Sequence, residues 1–366
     1  MKAGSKNYFP QLDAIRGLSF LAVFIIHAWN PVFGNYFFGR VLHFFHNNLV
    51  LSIDVFFVLS SFLLTWLGIN EYRKKGNFSF INYFIRRALR IWPLYFILMF
   101  FSFVVLPYAA VRFHITVTLP PAYYYLFFIA NFYLEGHVYF LKFLWTLSVE
   151  EQFYLVWGIC LYFFQKYLLA CLIIFIGGSV IFTVLAILNR VYHDNHTITY
   201  LFDFGIGIWA AVILHRGGRL VNFFKNISLV HDWVFILALP VFLILFFLVS
   251  ELTPLSWFPW VDLAGRYLFV IYMGLFIIEQ MVNERSVLNL KANRFLVYTG
   301  KISYGLYCFH GIVLTIGIAV FQKLNWNFPV ELQALLFLAL NYGIAAFSYT
   351  VIEKPFLKMK DRLRRV

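Results

Sequence analysis

Residues 12–29 read LDAIRGLSFLAVFIIHAW, an apolar run of membrane-spanning length that nevertheless carries an aspartate, an arginine and a histidine. An α-helix needs about 20 predominantly apolar residues to cross roughly 30 Å of hydrocarbon. Runs of this kind recur near 9–30, 48–70, 88–108, 145–164, 168–188, 197–214, 231–250, 261–282, 300–321 and 332–352. The expected fold class is therefore an all-α polytopic membrane protein with about ten transmembrane helices. A further stretch, 122–134 (AYYYLFFIANFYL), is too short to cross and follows the helix-breaking pair Pro120-Pro121, so it reads as re-entrant or interfacial.

Composition points the same way. Of 366 residues, 62% are hydrophobic and 12% charged, and the mean hydropathy is +0.80. A charged share about half that of a globular protein cannot cover a water-facing surface, which excludes a soluble enzyme, a disordered chain, a coiled coil and a secreted disulfide scaffold. The aromatic residues suit helices in lipid and interfacial belts, and say little about chemistry. Cys160, Cys171 and Cys308 lie in apolar runs without metal-binding spacing and read as free thiols. The net charge of +13 suggests nucleic acid at first sight, but the basic residues sit in short loops between apolar runs, so no nucleic-acid partner is expected. The first apolar run is followed by no small-residue cleavage site and carries Asp13 and Arg16, so it reads as a retained helix. No linker or internal repeat divides the chain, which reads as one domain over 1–366 without an appended soluble domain.

The basic residues also set an orientation. With both termini cytoplasmic, 22 of the 29 Lys and Arg fall inside and six outside, with Arg16 within the first span. That is a strong positive-inside bias. If 122–134 crossed, every later loop would change sides and the bias would collapse, so the same count supports ten spans and cytoplasmic termini in the plasma or inner membrane.

Ionisable side chains at membrane depth are costly and mark functional candidates. Arg16 and His27 are eleven positions apart, three turns plus about 20°, on one face and about 16 Å apart along the axis. The bland alternative is a snorkelling arginine and a histidine bonded to a neighbouring helix. Asp54 in LSIDVFFVLSSFLLTW, and Glu150 and Glu151 in LWTLSVEEQFYLVW, fall at a depth similar to His27, giving the base and carboxylates that proton transfer requires. For one of the two glutamates a helix-start carboxylate with Ser148 as cap is the competing explanation. Arg86, Arg87 and Arg90, where a cytoplasmic loop enters the third span, serve either topology alone or bidentate phosphate capture. His310 lies near the middle of the ninth span, and Glu353 at a cytoplasmic end suits pairing with an arginine. His43, His46, His193 and His196 read as solvated or interfacial, and no metal site is expected.

The segments LDAIRGLSFLAVFIIH, IDVFFVLSSFLLT, FIRRALRIWPLYF, LWTLSVEEQFYLVW, KISYGLYCFHG and SYTVIEKPF, in this order and from end to end, resemble the membrane acyltransferase-3 family. The resemblance implies ten spans and transfer of an acyl group, most often acetyl from cytoplasmic acetyl-CoA, to a hydroxyl of a cell-surface or lipid-linked carbohydrate. Its basic-x10-His motif falls on Arg16 and His27, its Arg-x-x-Arg motif on Arg87 and Arg90, and its Ser-x-Glu-Glu-Gln-Phe-Tyr stretch on Ser148 through Tyr154. Ser60-Ser61 stands where the family commonly has Ser-Gly.

On this basis His27, Glu150 and Asp54 are the expected catalytic residues, with His27 as general base. Arg16, Arg86, Arg87 and Arg90 are expected to hold the acyl-CoA, and Glu151, Tyr154 and His310 to meet the acceptor. Direct transfer and an acyl-His27 intermediate remain equivalent at this point. A transporter or flippase of lipid-linked sugar is the alternative class, lacking the paired broken helices expected of one.

Overall fold

The computed structural model describes residues 8–28, 37–112, 118–133, 139–191, 194–254 and 256–362, and among them it is helical without β-strands. Lys2, Lys6, His193 and the last basic residues, Arg364 and Arg365, lie outside the described residues. In chain order the helices are α1 (Pro10–Ala28), α2 (Phe37–Asn48), α3 (Ser52–Lys75), α4 (Phe80–Phe100), α5 (Leu106–Arg112), α6 (Ala122–Leu126), α7 (Tyr139–Lys142), α8 (Trp145–Phe163) and α9 (Leu168–Leu188). There follow α10 (Leu201–Arg216), α11 (Arg219–Lys225), α12 (Leu229–Leu252), α13 (Phe258–Val282), α14 (Arg294–Lys301), α15 (Ser303–Lys323), α16 (Val330–Ser348) and α17 (Lys354–Arg362).

Eight of these helical stretches are long and apolar enough to cross a membrane, so the chain is a multi-pass membrane protein. They match eight of the ten expected spans. The other two, α8 and α10, form as helices but differ in kind. Adjacent Glu150, Glu151 and Gln152 lower the hydropathy of α8, and the 16 residues of α10 rise only about 24 Å.

Capping explains where several helices begin and end. The Ser79 side chain accepts from Asn82 N at 3.3 Å and starts α4 at Phe80. Arg86, Arg87 and Arg90 therefore lie inside a helix, a correction to the loop-entry position expected for them. Gly76 takes the left-handed conformation (φ 74°) that an L side chain resists, and its N–H returns to Tyr72 O at 2.8 Å, closing α3 after Lys75.

The described residues sort into two compact units: those within Met1–Gly76, Leu169–Tyr192 and Ile198–Lys301 form the first, and those within Asn77–Leu168, His193–Thr197 and Ile302–Val366 the second.

In the first unit α1, α3, α10 and α13 share a core that buries Leu12, Ile15, Val58, Phe62, Ile206 and Ile277. Lipid supplies no hydrophobic drive between helices, so association depends on close backbone approach and interhelical polar bonds. Both are present. A Cβ on Gly207 of α10 would collide with Ser61 Oγ and Val58 O of α3, and one on Gly300 of α14 with the Asp13 carbonyl of α1. The close approach of α10 to α3 at Ser61 is thus supplied by the facing glycine, while the Ser61 hydroxyl donates to Val58 O at 3.1 Å within its own helix.

In the second unit α4, α8 and α15 enclose Leu94, Tyr95, Leu98, Leu144, Leu147 and Cys308. Two π-helical turns, Phe101–Val105 and Tyr349–Glu353, interrupt the helices that carry them. The segment 122–133 does not cross: α6 has five residues and gives way to a turn and a short 3-10 stretch, Ala130–Phe132. It is pinned by Tyr95 OH donating to Tyr125 O at 2.8 Å and by Ala130 N donating to Ser148 Oγ at 3.2 Å. Cys171 and Cys308 are buried free thiols, and Cys160 is a half-buried one.

Candidate functional site

The first unit holds Arg16, His27 and Asp54. α1 runs without a break from Pro10 to Ala28, so the eleven-residue spacing keeps Arg16 and His27 on one face, about 16 Å apart. Arg16 is buried and its Nη1 donates to Asp13 Oδ1 at 3.2 Å, whereas His27 sits half-buried in the last turn.

Asp54 has a partner that the sequence reading missed. Arg266 of α13 donates from Nε to Asp54 Oδ2 at 3.0 Å and from Nη2 to Asp54 Oδ1 at 3.2 Å. The same Nη2 donates to Asp203 Oδ2 of α10 at 2.7 Å, and the guanidinium lies 4.6 Å from the centroid of the Tyr200 ring. Removing charges from water is expensive, and a planar fork held by two carboxylates and an aromatic face is one way to make it tolerable. Asp54 is therefore one corner of an ion cluster that ties α3, α10 and α13 together. Asp54 and Arg266 are 212 positions apart, and Asp203 and Arg266 are 63 apart, so no sequence spacing signals the pairing.

The second unit holds the remaining candidates. On α4 the Arg87 guanidinium lies 5.7 Å from the Tyr154 ring centroid, and Tyr83 OH donates to the Tyr154 carbonyl at 2.9 Å. One turn away on α8, Glu151 is 7% exposed, and its Oε2 accepts from Trp92 Nε1 at 3.3 Å. Its Oε1 is buried without a hydrogen-bond partner among the described residues. Arg87 and Glu151 therefore belong to one polar stack in this unit instead of to two separated layers. Glu150 is half-buried.

The helix-start explanation for the glutamates does not hold. α8 begins at Trp145 after Leu144, without a side-chain cap, so both glutamates fall in its second turn, and Ser148 serves the backbone of Ala130. His310 is fully buried, with Nδ1 at 2.5 Å from Tyr307 O. A carbonyl only accepts, so Nδ1 donates, and in the neutral ring Nε2 carries the lone pair. Tyr307 OH meets Thr146 Oγ1 at 2.8 Å. Glu353, at the end of a π-helical turn, is buried beside Gly305, where a Cβ would come within 3.0 Å of its Oε1.

A lone buried ion pair is compatible with many membrane proteins, but ordered charges on several helices narrow the choice. A family model described as an acyltransferase domain matches residues 9–350, nearly the whole chain. The chain belongs to the acyltransferase-3 family. Relatives of this acyltransferase-3 chain include the peptidoglycan O-acetyltransferase OatA of Listeria monocytogenes, 26% identical over 97% of this chain and 56% of that protein. Another is a Bacillus subtilis protein named "Putative peptidoglycan O-acetyltransferase YrhL", 27% identical over 97% of this chain and 56% of its own length. The chain thus spans little more than half the length of the curated relatives it matches. No solved structure matches it.

Proposed function

We propose that this chain is an acyl-CoA-dependent O-acyltransferase that moves an acyl group, in the first instance acetyl, to a hydroxyl of a cell-wall or other surface carbohydrate. The observation that carries the reading is the acyltransferase match over residues 9–350, which spans every candidate site residue from Arg16 to His310. Names of relatives such as OatA support a peptidoglycan hydroxyl as acceptor.

In this reading both termini are cytoplasmic, and the donor enters from that side. Arg87 and Arg90, one turn apart on α4, with Arg86 beside them, bind phosphate of the acyl-CoA in the second unit, and Arg16 on α1 is the phosphate-binding arginine of the first. A guanidinium offers phosphate two parallel N–H donors, which Lys cannot. The roughly 16 Å from Arg16 to His27 is the reach asked of the pantetheine arm. His27 takes the proton of the acceptor hydroxyl as its oxygen attacks the thioester carbon. The carbon–sulfur bond then breaks, and the departing thiolate takes the proton back from His27. Glu151, with one oxygen held by Trp92 and the other buried without a hydrogen-bond partner among the described residues, is the carboxylate best prepared to meet the acceptor, with Glu150 and Tyr154 on the same helix and His310 elsewhere in the same unit.

Purified protein with acetyl-CoA and soluble peptidoglycan fragments tests the reading. Thiol release that depends on the fragments, together with a mass increase of one acetyl group in them, is the expected result. Movement of fragments across a vesicle membrane without acetylation would point to transport.

A further inference from the structure

Gln152 follows Glu151 directly, yet the two side chains are joined through space by a longer route. The Gln152 amide donates from Nε2 to Phe128 O at 2.8 Å and to Asn131 Oδ1 at 2.8 Å, while Thr197 Oγ1 donates to Gln152 Oε1. Both amide protons and the carbonyl are thereby in use. Phe128 carries a left-handed backbone (φ 53°), which a phenylalanine adopts only where its surroundings hold it. Its N–H is fixed by Tyr125 O at 3.1 Å and its carbonyl by Gln152. The backbone held in this way stacks the Phe128 ring on Tyr95 (4.6 Å between centroids) and on Trp92 (6.1 Å, 25° between planes). Trp92 in turn donates its indole N–H to Glu151 Oε2.

We propose that Gln152 and Phe128 are positioning residues for the transfer: they set the plane of Trp92, which holds one oxygen of Glu151 and leaves the other turned to the reacting groups. The inference rests on the reading of Glu151 given above. A strained phenylalanine is a poor choice for a segment that needs only to fill space, since glycine would adopt the same backbone without cost. The strain is kept where the ring orients the one donor bonded to the enclosed carboxylate.

The test uses the whole chain, acetyl-CoA and peptidoglycan fragments, with kcat and KM measured for each variant. Phe128→Gly eases the backbone and removes the ring. Gln152→Glu keeps the shape and the bond from Thr197 but sets an oxygen against the Phe128 carbonyl. Trp92→Phe removes the indole N–H. Each should lower kcat by about 10- to 100-fold, the scale of a small misplacement in an active site, with the KM for acetyl-CoA within about twofold. Phe128→Tyr, which keeps the ring, should recover most of the loss. Because the residues act through one carboxylate, the Phe128→Gly/Trp92→Phe double variant should fall no further than its worse parent. Should Phe128→Gly fail to elute as a monodisperse peak, Gln152→Glu with Trp92→Phe makes the same comparison. Multiplying losses in the double variant, or an unchanged kcat in the singles beside an inactive Glu151→Gln, would overturn the positioning role alone. Full activity of Glu151→Gln would overturn the reading of the site, and this inference with it.

Discussion

Arg266 grips both oxygens of Asp54, from Nε at 3.0 Å and from Nη2 at 3.2 Å, and the same Nη2 holds Asp203 at 2.7 Å. One guanidinium therefore neutralises charge from two other helices. Arg266→Gln should leave two carboxylates enclosed without a cation and cost about 3–5 kcal/mol. Thermal unfolding of the detergent-purified protein measures the loss, and adding Asp203→Asn should restore part of it. An unchanged midpoint in Arg266→Gln would show that the cluster does not hold the unit together.

His27→Ala should reduce transfer by at least about 100-fold, the lower range of general acid–base catalysis, with an unchanged unfolding midpoint. His27 lies half-buried in the last turn of α1, so its loss opens no core cavity. Steady-state thiol release and a thermal scan on one preparation decide this. Substantial turnover would remove His27 from the base role.

Replacing Arg87 and Arg90 together by Lys keeps every positive charge and removes only the planar fork. The Kd for CoA should rise about tenfold, equivalent to 1.4 kcal/mol, while the membrane orientation of the protein stays the same. Calorimetric titration with CoA gives the first quantity and protease accessibility in vesicles the second. An unchanged Kd would return these arginines to topology alone.

Gly207→Ala should destabilise the first unit by about 1–3 kcal/mol, the usual cost of overpacking. The new Cβ would meet Val58 O, a backbone atom that cannot swing aside, as well as Ser61 Oγ. Thermal unfolding again reads the change, and a midpoint equal to that of the parent protein would mean that α3 and α10 can separate freely.

Much of the helical layout was legible because a membrane asks one simple property of a segment, length with low polarity. That 122–133 does not form a span followed from its length and from Pro120-Pro121. What escaped was pairing. Neither Asp203 nor Arg266 was singled out from the sequence, and only folding brings them to Asp54. Ser148 looked like a helix cap because serine often is one, whereas α8 starts three residues earlier and leaves its hydroxyl for Ala130 N. Trp92 was hidden among ten tryptophans, 23 tyrosines and 47 phenylalanines, where one more aromatic carries no signal. Its bond to Glu151 singles it out.

The proposed function has donor and acceptor reach the transfer site from opposite faces of the membrane, the acyl-CoA from the face of the termini and the surface carbohydrate from the other. Proteoliposomes of known orientation test it directly, with acetyl-CoA confined to the face bearing both termini and peptidoglycan fragments confined to the other. Acetylated fragments should accumulate, and none should form when donor and acceptor are both confined to the face opposite the termini. Acetylation only when both are on the face of the termini would contradict the claim.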